Sequence, residues 1–139
     1  SGDEKSSLVK KFELCGVRAI FLGNIDNHLL PDIYNKCDIY VLCSRYEGNP
    51  KTLLEAMACG CFVIGTDIVG IRDIISTNIT GILVEENSQS LRESILTFIN
   101  DADRRMTLGK AARQQVVQSN SLDEAVRKEW HTYLRLKGI

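Results

Sequence analysis

The sequence predicts an α/β protein built on a parallel, doubly wound sheet, and two observations carry that expectation. Four short runs rich in β-branched and aliphatic residues, 18–23 (RAIFLG), 38–44 (DIYVLCS), 61–66 (CFVIGT) and 81–85 (GILVE), are nearly continuous in apolar residues, as strands covered on both faces are. Helix-length stretches separate them, and strands that alternate with helices form parallel sheets through right-handed crossovers. In chain order, a first helix begins before Leu8 and runs to about Cys15; the next two occupy 29–37 and 50–59, and a short one lies around 70–76. Beyond Glu86 the pattern is helical only, at 88–100, 103–118 and 122–136, with acidic or small polar residues near each start. A domain that opens on a helix and offers four strands reads as the later part of a larger doubly wound sheet, followed by C-terminal helices.

Composition narrows the partners. With 44% apolar and 25% charged residues over 139 positions, the chain has ordinary globular composition and enough apolar surface for one core. Seventeen Lys and Arg against eighteen Asp and Glu leave a formal net charge of -1, with no block of like charge to grip a nucleic-acid backbone. No apolar run approaches the roughly 20 residues of a membrane span, and Ser1-Gly2-Asp3-Glu4 has neither the basic nor the apolar part of a signal peptide. Ser1-Gly2 reads as a cloning scar. Five cysteines, Cys15, Cys37, Cys43, Cys59 and Cys61, lie in or beside apolar runs without zinc-site or C-x-x-C spacing. They are expected to be reduced and mostly buried, in a cytoplasmic protein. Asn78-Ile79-Thr80 matches a glycosylation triplet, a pattern common by chance and idle without secretion.

The chemistry concentrates in 44–60, SRYEGNPKTLLEAMACG. In open α/β sheets, ligands sit outside the carboxyl ends of the strands, where the following helices begin. Here the strand at 38–44 ends, 45–49 turn, and Asn49-Pro50 starts a helix, with Asn suited to the cap and Pro to the first helical position. The N–H groups of Lys51, Thr52 and Leu53 are expected to point back at the loop, beside a partial positive charge. That makes an anion pocket, with Arg45 and Lys51 near it. Glu55 falls among Leu53, Leu54, Ala56, Met57 and Ala58, which implies burial on most sides and hence a need for partners. Two vicinal ribose hydroxyls would satisfy it. Glu47 precedes Gly48, where backbone and ligand can approach closely. A nucleotide-sugar fits this arrangement: ribose on Glu55, diphosphate at the helix start, sugar by Glu47. By spacing alone, the same residues also suit a solvated helix with a routine Asn-Pro start.

The stretch resembles the signature of the retaining glycosyltransferases of family four: a glutamate, seven residues, a second glutamate and an Ala-Met-Ala-x-Gly turn, here Glu47, Glu55 and 56–60. Phe21-Leu22-Gly23 is similar to the family's strand end, 34–38 to its Y-x-x-C/A-D step, and 80–84 to its TG-[LIF]-L-V segment. Gly70 and Asp73 stand where a Gly and a Glu are usual, and 101–109 resembles the D-x-x-x-R-x-x-L-G run. The resemblance spans about 17–118. It implies a GT-B fold, with this chain the later part of the C-terminal, donor-binding half: residues 3–120 a partial nucleotide-sugar-binding Rossmann-like domain, and 121–139 its C-terminal helix. It further implies sugar transfer with retention from a nucleoside diphosphate to an acceptor hydroxyl, in glycan or polysaccharide assembly. The catalytic role falls on Glu47, and donor binding on Arg45, Gly48, Asn49, Lys51, Thr52, Leu53 and Glu55, with the base near the backbone of 23–25. No cofactor and no obligatory metal are implied, since protein donors stabilise the departing diphosphate.

Two departures bear on this. Asn49-Pro50 replaces the usual Phe-Gly and removes one backbone donor, and Asp73 reaches less far than Glu. The family's Gly-Arg and Lys pair, which grips the diphosphate, belongs to a region upstream of Ser1, as does the acceptor half that would complete the enzyme in cis. The chain alone is therefore expected not to turn over, and the whole protein to be cytoplasmic, peripheral to the inner membrane through that upstream half. A non-catalytic nucleotide-sugar or phosphate-binding module is the alternative. Asp101-Ala102-Asp103 matches a metal-binding D-x-D but falls between two amphipathic helices and reads as a cap. His28 and His131 have no second ligand at metal spacing, and Val126, Trp130 and Tyr133 recur at helical spacing as packing residues.

Overall fold

The computed structural model describes residues 2–119. Three parallel strands, β1 (Ile39–Leu42), β2 (Phe62–Thr66) and β3 (Ile82–Val84), form one sheet in the order β1-β2-β3, with Ile39 opposite Phe62 and Ile64 opposite Ile82. Around it stand α1 (Gly2–Leu14), α2 (Leu30–Tyr34) after a short 3-10 turn, α3 (Lys51–Ala58), α4 (Ser88–Ile99) and α5 (Ala102–Ser119). The expected helix at 122–136, with Val126, Trp130, His131 and Tyr133, lies outside the described residues.

Side-chain alternation along β2 divides the core into two. Val63 joins Leu53, Ala56 and Met57 of α3 and Ala112 and Val116 of α5 on one face. Phe62 and Ile64 join Ile82 and Val84 and meet Phe98 of α4 and Leu108 of α5 on the other, the Phe62 and Phe98 rings lying 4.7 Å apart. Every residue of β2 is buried. Helices on both faces make this the doubly wound arrangement that the sequence predicts.

The run at 101–109 shows why each of its fixed residues is needed. Asp101 Oδ1 accepts the Arg104 N–H at 3.0 Å and caps α5, so the D-x-D is a helix start. Arg105 donates to the Phe98 and Ile99 carbonyls at 2.7 and 2.6 Å, closing the end of α4, and to Asp38 Oδ1 at 3.1 Å. Leu108 enters the core, and Gly109 meets the carbonyl of Gly60 with no room for a Cβ between them. Gly60 is itself the left-handed stop of α3: its N–H donates to Met57 and the N–H of Cys61 to Ala56, which is the Schellman pattern.

Several expectations fail here. Residues 18–23 form no strand; they are exposed, with Ile20 71% accessible. A strand needs a hydrogen-bonded neighbour, and none of β1, β2 and β3 pairs with 18–23. Leu8, Leu14, Val17 and Leu22 are exposed as well, with Phe12 and Phe21 edge to face at 6.0 Å. Residues 70–76 make turns and no helix, because Gly70 at φ 90° breaks the run. Only Cys61 is buried; Cys59 is half-buried, and Cys15, Cys37 and Cys43 are exposed, all five unpaired. Asn78 sits at φ 62° with its amide oxygen held by Arg104 at 3.1 Å.

Gly109→Ala sets two effects against each other. Ala is favoured over Gly inside a helix by about 1 kcal/mol, but overpacking costs about 1–3 kcal/mol, and the atom in the way is a backbone carbonyl. We expect a net destabilisation of up to about 2 kcal/mol, read as a lowered urea midpoint, against little change for the exposed Lys110→Ala.

Candidate functional site

The carboxyl ends of β1 and β2 are tied together: the Thr66 hydroxyl donates to the Ser44 carbonyl at 2.6 Å. Ser44 then holds Glu47, its hydroxyl donating to Oε1 at 2.8 Å, and Glu47 is half-buried. Gly70 closes the loop from behind, since a Cβ there would strike the Glu47 carbonyl oxygen, and its φ of 90° is one that L side chains rarely adopt. Gly48 in front is open: a Cβ built on it meets nothing within 4 Å. The glutamate is thus fixed by side chain and backbone while the loop beside it stays accessible.

The start of α3 departs by one residue from expectation. Pro50 occupies the cap position, with no side-chain cap from Asn49, and the helix begins at Lys51. The Lys51 N–H donates to the Asn49 carbonyl, and the N–H groups of Leu53 and Leu54 both donate to Pro50. Of the three amides expected to face the loop, only that of Thr52 lacks such a partner, because Pro50 makes the first turn tight. Leu53 is fully buried in the core. Arg45, 90% exposed, turns away and pairs with Glu86 Oε1 at 3.1 Å, next to the start of α4. Asn49 and Lys51 are exposed.

Glu55 is exposed, where the sequence predicts burial on most sides. The apolar residues around it point inward, Leu53, Ala56 and Met57 being buried, while Glu55 shares the outer face of the helix with Thr52, three positions earlier. Its partner is Tyr34, whose hydroxyl donates to Oε2 at 3.3 Å. Tyr40 does the same for Thr52 Oγ1 at 2.8 Å. Sequence reasoning marks Tyr34 only as the start of the 34–38 step and passes over Tyr40; their contacts escape it, because the two come from α2 and β1, 21 and 12 positions from the residues they serve.

Two clefts flank the site. One of about 290 Å³ lies at the carboxyl ends of the strands, between Ser44, Thr66, Glu85 and the start of α4. The other, of about 240 Å³, lies between α2 and α3 and includes Tyr34 and Glu55. Among the described residues, no group of three His, Cys, Asp or Glu side chains is placed to hold a metal ion, and no helix is long and apolar enough to cross a membrane.

The sequence profile of the glycosyl transferases group 1 matches residues 1–115. The chain belongs to this family. It is 35% identical over 88 residues to an N,N'-diacetylbacillosaminyl-diphospho-undecaprenol alpha-1,3-N-acetylgalactosaminyltransferase of Campylobacter jejuni, covering 63% of this chain and 23% of that relative. Its fold resembles that of sucrose-phosphate synthase from Thermosynechococcus elongatus, with a TM-score of 0.89 at 28% identity over 98% of this chain and 34% of the other. It also resembles the C-terminal domain of a glycosyl transferase group 1 family protein from Francisella tularensis, with a TM-score of 0.78 at 31% identity over 86% of this chain and 64% of that one. The chain therefore spans about a quarter of the length of curated relatives it matches. Its Rossmann-like architecture is that of GT-B glycosyltransferases, as the motif at 44–60 implies.

The pH dependence of stability follows from two buried acids. Burial, with Glu55 close by, pushes the Tyr34 hydroxyl from 10.0 to about 12; burial also pushes the Cys61 thiol from 9.0 to about 11, with Cys37 adding to the shift. The folded state therefore holds these protons more tightly, so their contribution is complete below about pH 9 and is lost as pH rises towards 12. The urea midpoint is expected to stay level from about pH 7 to 8.5 and to fall above about pH 9. Tyr34→Phe removes the part of the fall that begins near pH 10.

Proposed function

We propose that this chain is the later part of the donor-binding half of a retaining glycosyltransferase. The full-length protein moves a sugar from a nucleoside diphosphate to an acceptor hydroxyl in glycan or polysaccharide assembly. The observation that carries this reading is the placement of the two motif glutamates on either side of the α3 start: Glu47 pinned by Ser44 and Gly70, Glu55 held by Tyr34. Ribose hydroxyls bind Glu55, and the diphosphate lies over Gly48, Asn49 and the first turn of α3. Its charge meets the Thr52 N–H and the positive end of the helix, with Lys51 alongside. Leu53 contributes by anchoring that turn in the core. Arg45 lines the cleft at the strand ends, on the side of α4.

In this reading the sugar lies between the diphosphate and Glu47. As the glycosidic bond breaks, negative charge grows on the diphosphate and positive charge on the sugar ring. Fixed donors at the helix start stabilise the first and the Glu47 carboxylate the second, without an obligatory metal. The acceptor half and the basic pair come from upstream polypeptide, so the 139 residues alone do not turn over. An undecaprenol-linked acceptor, as named for the Campylobacter relative, would place the full-length protein at the cytoplasmic surface of the membrane.

A thermal-shift panel of UDP-, GDP- and ADP-sugars on the full-length protein tests the reading. One nucleotide class is expected to raise Tm. Glu55→Ala loses hydrogen bonds from a charged group, about 1.5–3 kcal/mol, and should weaken that donor roughly ten- to hundredfold. Glu47→Gln should leave donor affinity within about twofold and lower turnover on the order of a hundredfold. A panel with no binder, or Glu55→Ala binding as tightly as the wild type, contradicts the donor site. Donor binding with Glu47→Gln turning over normally contradicts the catalytic assignment.

A further inference from the structure

Two tyrosines outside the motif touch the two α3 side chains that face the proposed donor. Tyr34, on α2 and 6% exposed, donates to Glu55 Oε2 at 3.3 Å, and Tyr40, on β1, donates to Thr52 Oγ1 at 2.8 Å. Their rings meet nearly at right angles, 81°, with centroids 5.8 Å apart, an arrangement that aromatic pairs favour. Thr52 and Glu55 are neighbours on one face of α3. A single aromatic block therefore supports both ends of the site from behind.

Counting protons and lone pairs shows what each contact does. A threonine hydroxyl carries one proton and accepts others. With the Tyr40 proton on Oγ1, the Thr52 proton stays available to another acceptor, as does the Thr52 N–H, which has no backbone acceptor. A carboxylate only accepts. With Tyr34 on Oε2, the Oε1 of Glu55 is left for two ribose hydroxyls.

We infer that Tyr34 and Tyr40 are a pair of positioning residues, Tyr40 aiming the Thr52 hydroxyl at the donor diphosphate and Tyr34 orienting Glu55 towards the ribose. The inference rests on the donor-site reading above. Its consequence is separability: each tyrosine governs one part of the ligand. Burial keeps both phenols protonated well above neutral pH, so both remain donors under working conditions.

Phenylalanine at either position keeps the ring and removes only the hydroxyl. Titration calorimetry on the full-length protein, with whichever of UDP, GDP and ADP binds and with its nucleoside, reads the two contacts apart. Tyr40→Phe is expected to weaken the diphosphate roughly three- to tenfold and leave the nucleoside unchanged, as is Thr52→Val, with no further loss when the two are combined. Tyr34→Phe is expected to weaken nucleoside and diphosphate by the same factor, roughly three- to tenfold. A general loosening of the fold would not give this split. The inference is overturned if Tyr40→Phe weakens both ligands alike, if its effect adds fully to that of Thr52→Val, or if either tyrosine variant binds as the wild type does. A wild-type protein that binds none of the three diphosphates overturns the donor site itself, a result distinct from wild-type binding without the split.

Discussion

The approach of α5 to the end of α3 at Gly60 and Gly109 governs where the rest of the molecule can lie. A side chain at Gly109 would collide with the Gly60 carbonyl, so the two backbones meet because Gly109 lacks one, while Gly60 supplies the left-handed turn that ends α3. That contact lets Ala112 and Val116 reach Ala56, Met57 and Val63 and seats α3 firmly on the sheet. Leu108, one residue away, fills the opposite face with Phe62 and Phe98. One helix therefore closes both cores, and the position of α3 is settled from its far end.

The near end of α3 carries the proposed donor site, and its precision depends on that seating. With Leu53, Ala56 and Met57 fully buried, the helix has no freedom to rotate, and Thr52 and Glu55 are held outward. The loop before it is fixed from three directions: Thr66 on the Ser44 carbonyl, the Ser44 hydroxyl on Glu47, and Gly70 against the Glu47 backbone. In the proposed mechanism this preorganisation serves the Glu47 carboxylate, because no reorganisation is then required during reaction.

The parts of this arrangement written in local pattern are legible in the sequence. Near-continuous apolar runs locate all three strands to within two residues, Asn-Pro marks the start of α3 to within one, and Asp101 is recognisable as a cap. What depends on distant partners is not. Residues 18–23 have the composition of a strand, but strand pairing is a property of neighbours, and the described residues supply none. Glu55 looks buried because the residues beside it are apolar, yet a helix separates adjacent positions by about 100°, and its flanking residues turn inward while it turns out. Tyr34, Tyr40 and Gly70 join the site only through tertiary packing. Gly70 and Tyr34 stand out in the sequence only as family-pattern positions, with nothing there to say what they touch, and Tyr40 does not stand out at all.

In the proposed reading the motif glutamates mark the two ends of one donor-binding surface, built at the carboxyl edge of the sheet and supported by tyrosines from two other elements. A structure of the full-length protein bound to a nucleoside diphosphate tests this most directly. Ribose hydroxyls within hydrogen-bond distance of Glu55 and a diphosphate oxygen on the Thr52 N–H and hydroxyl are the expected result. A ligand seated instead in the cleft between Ser44, Glu85 and the start of α4, away from Glu55 and Thr52, would contradict it.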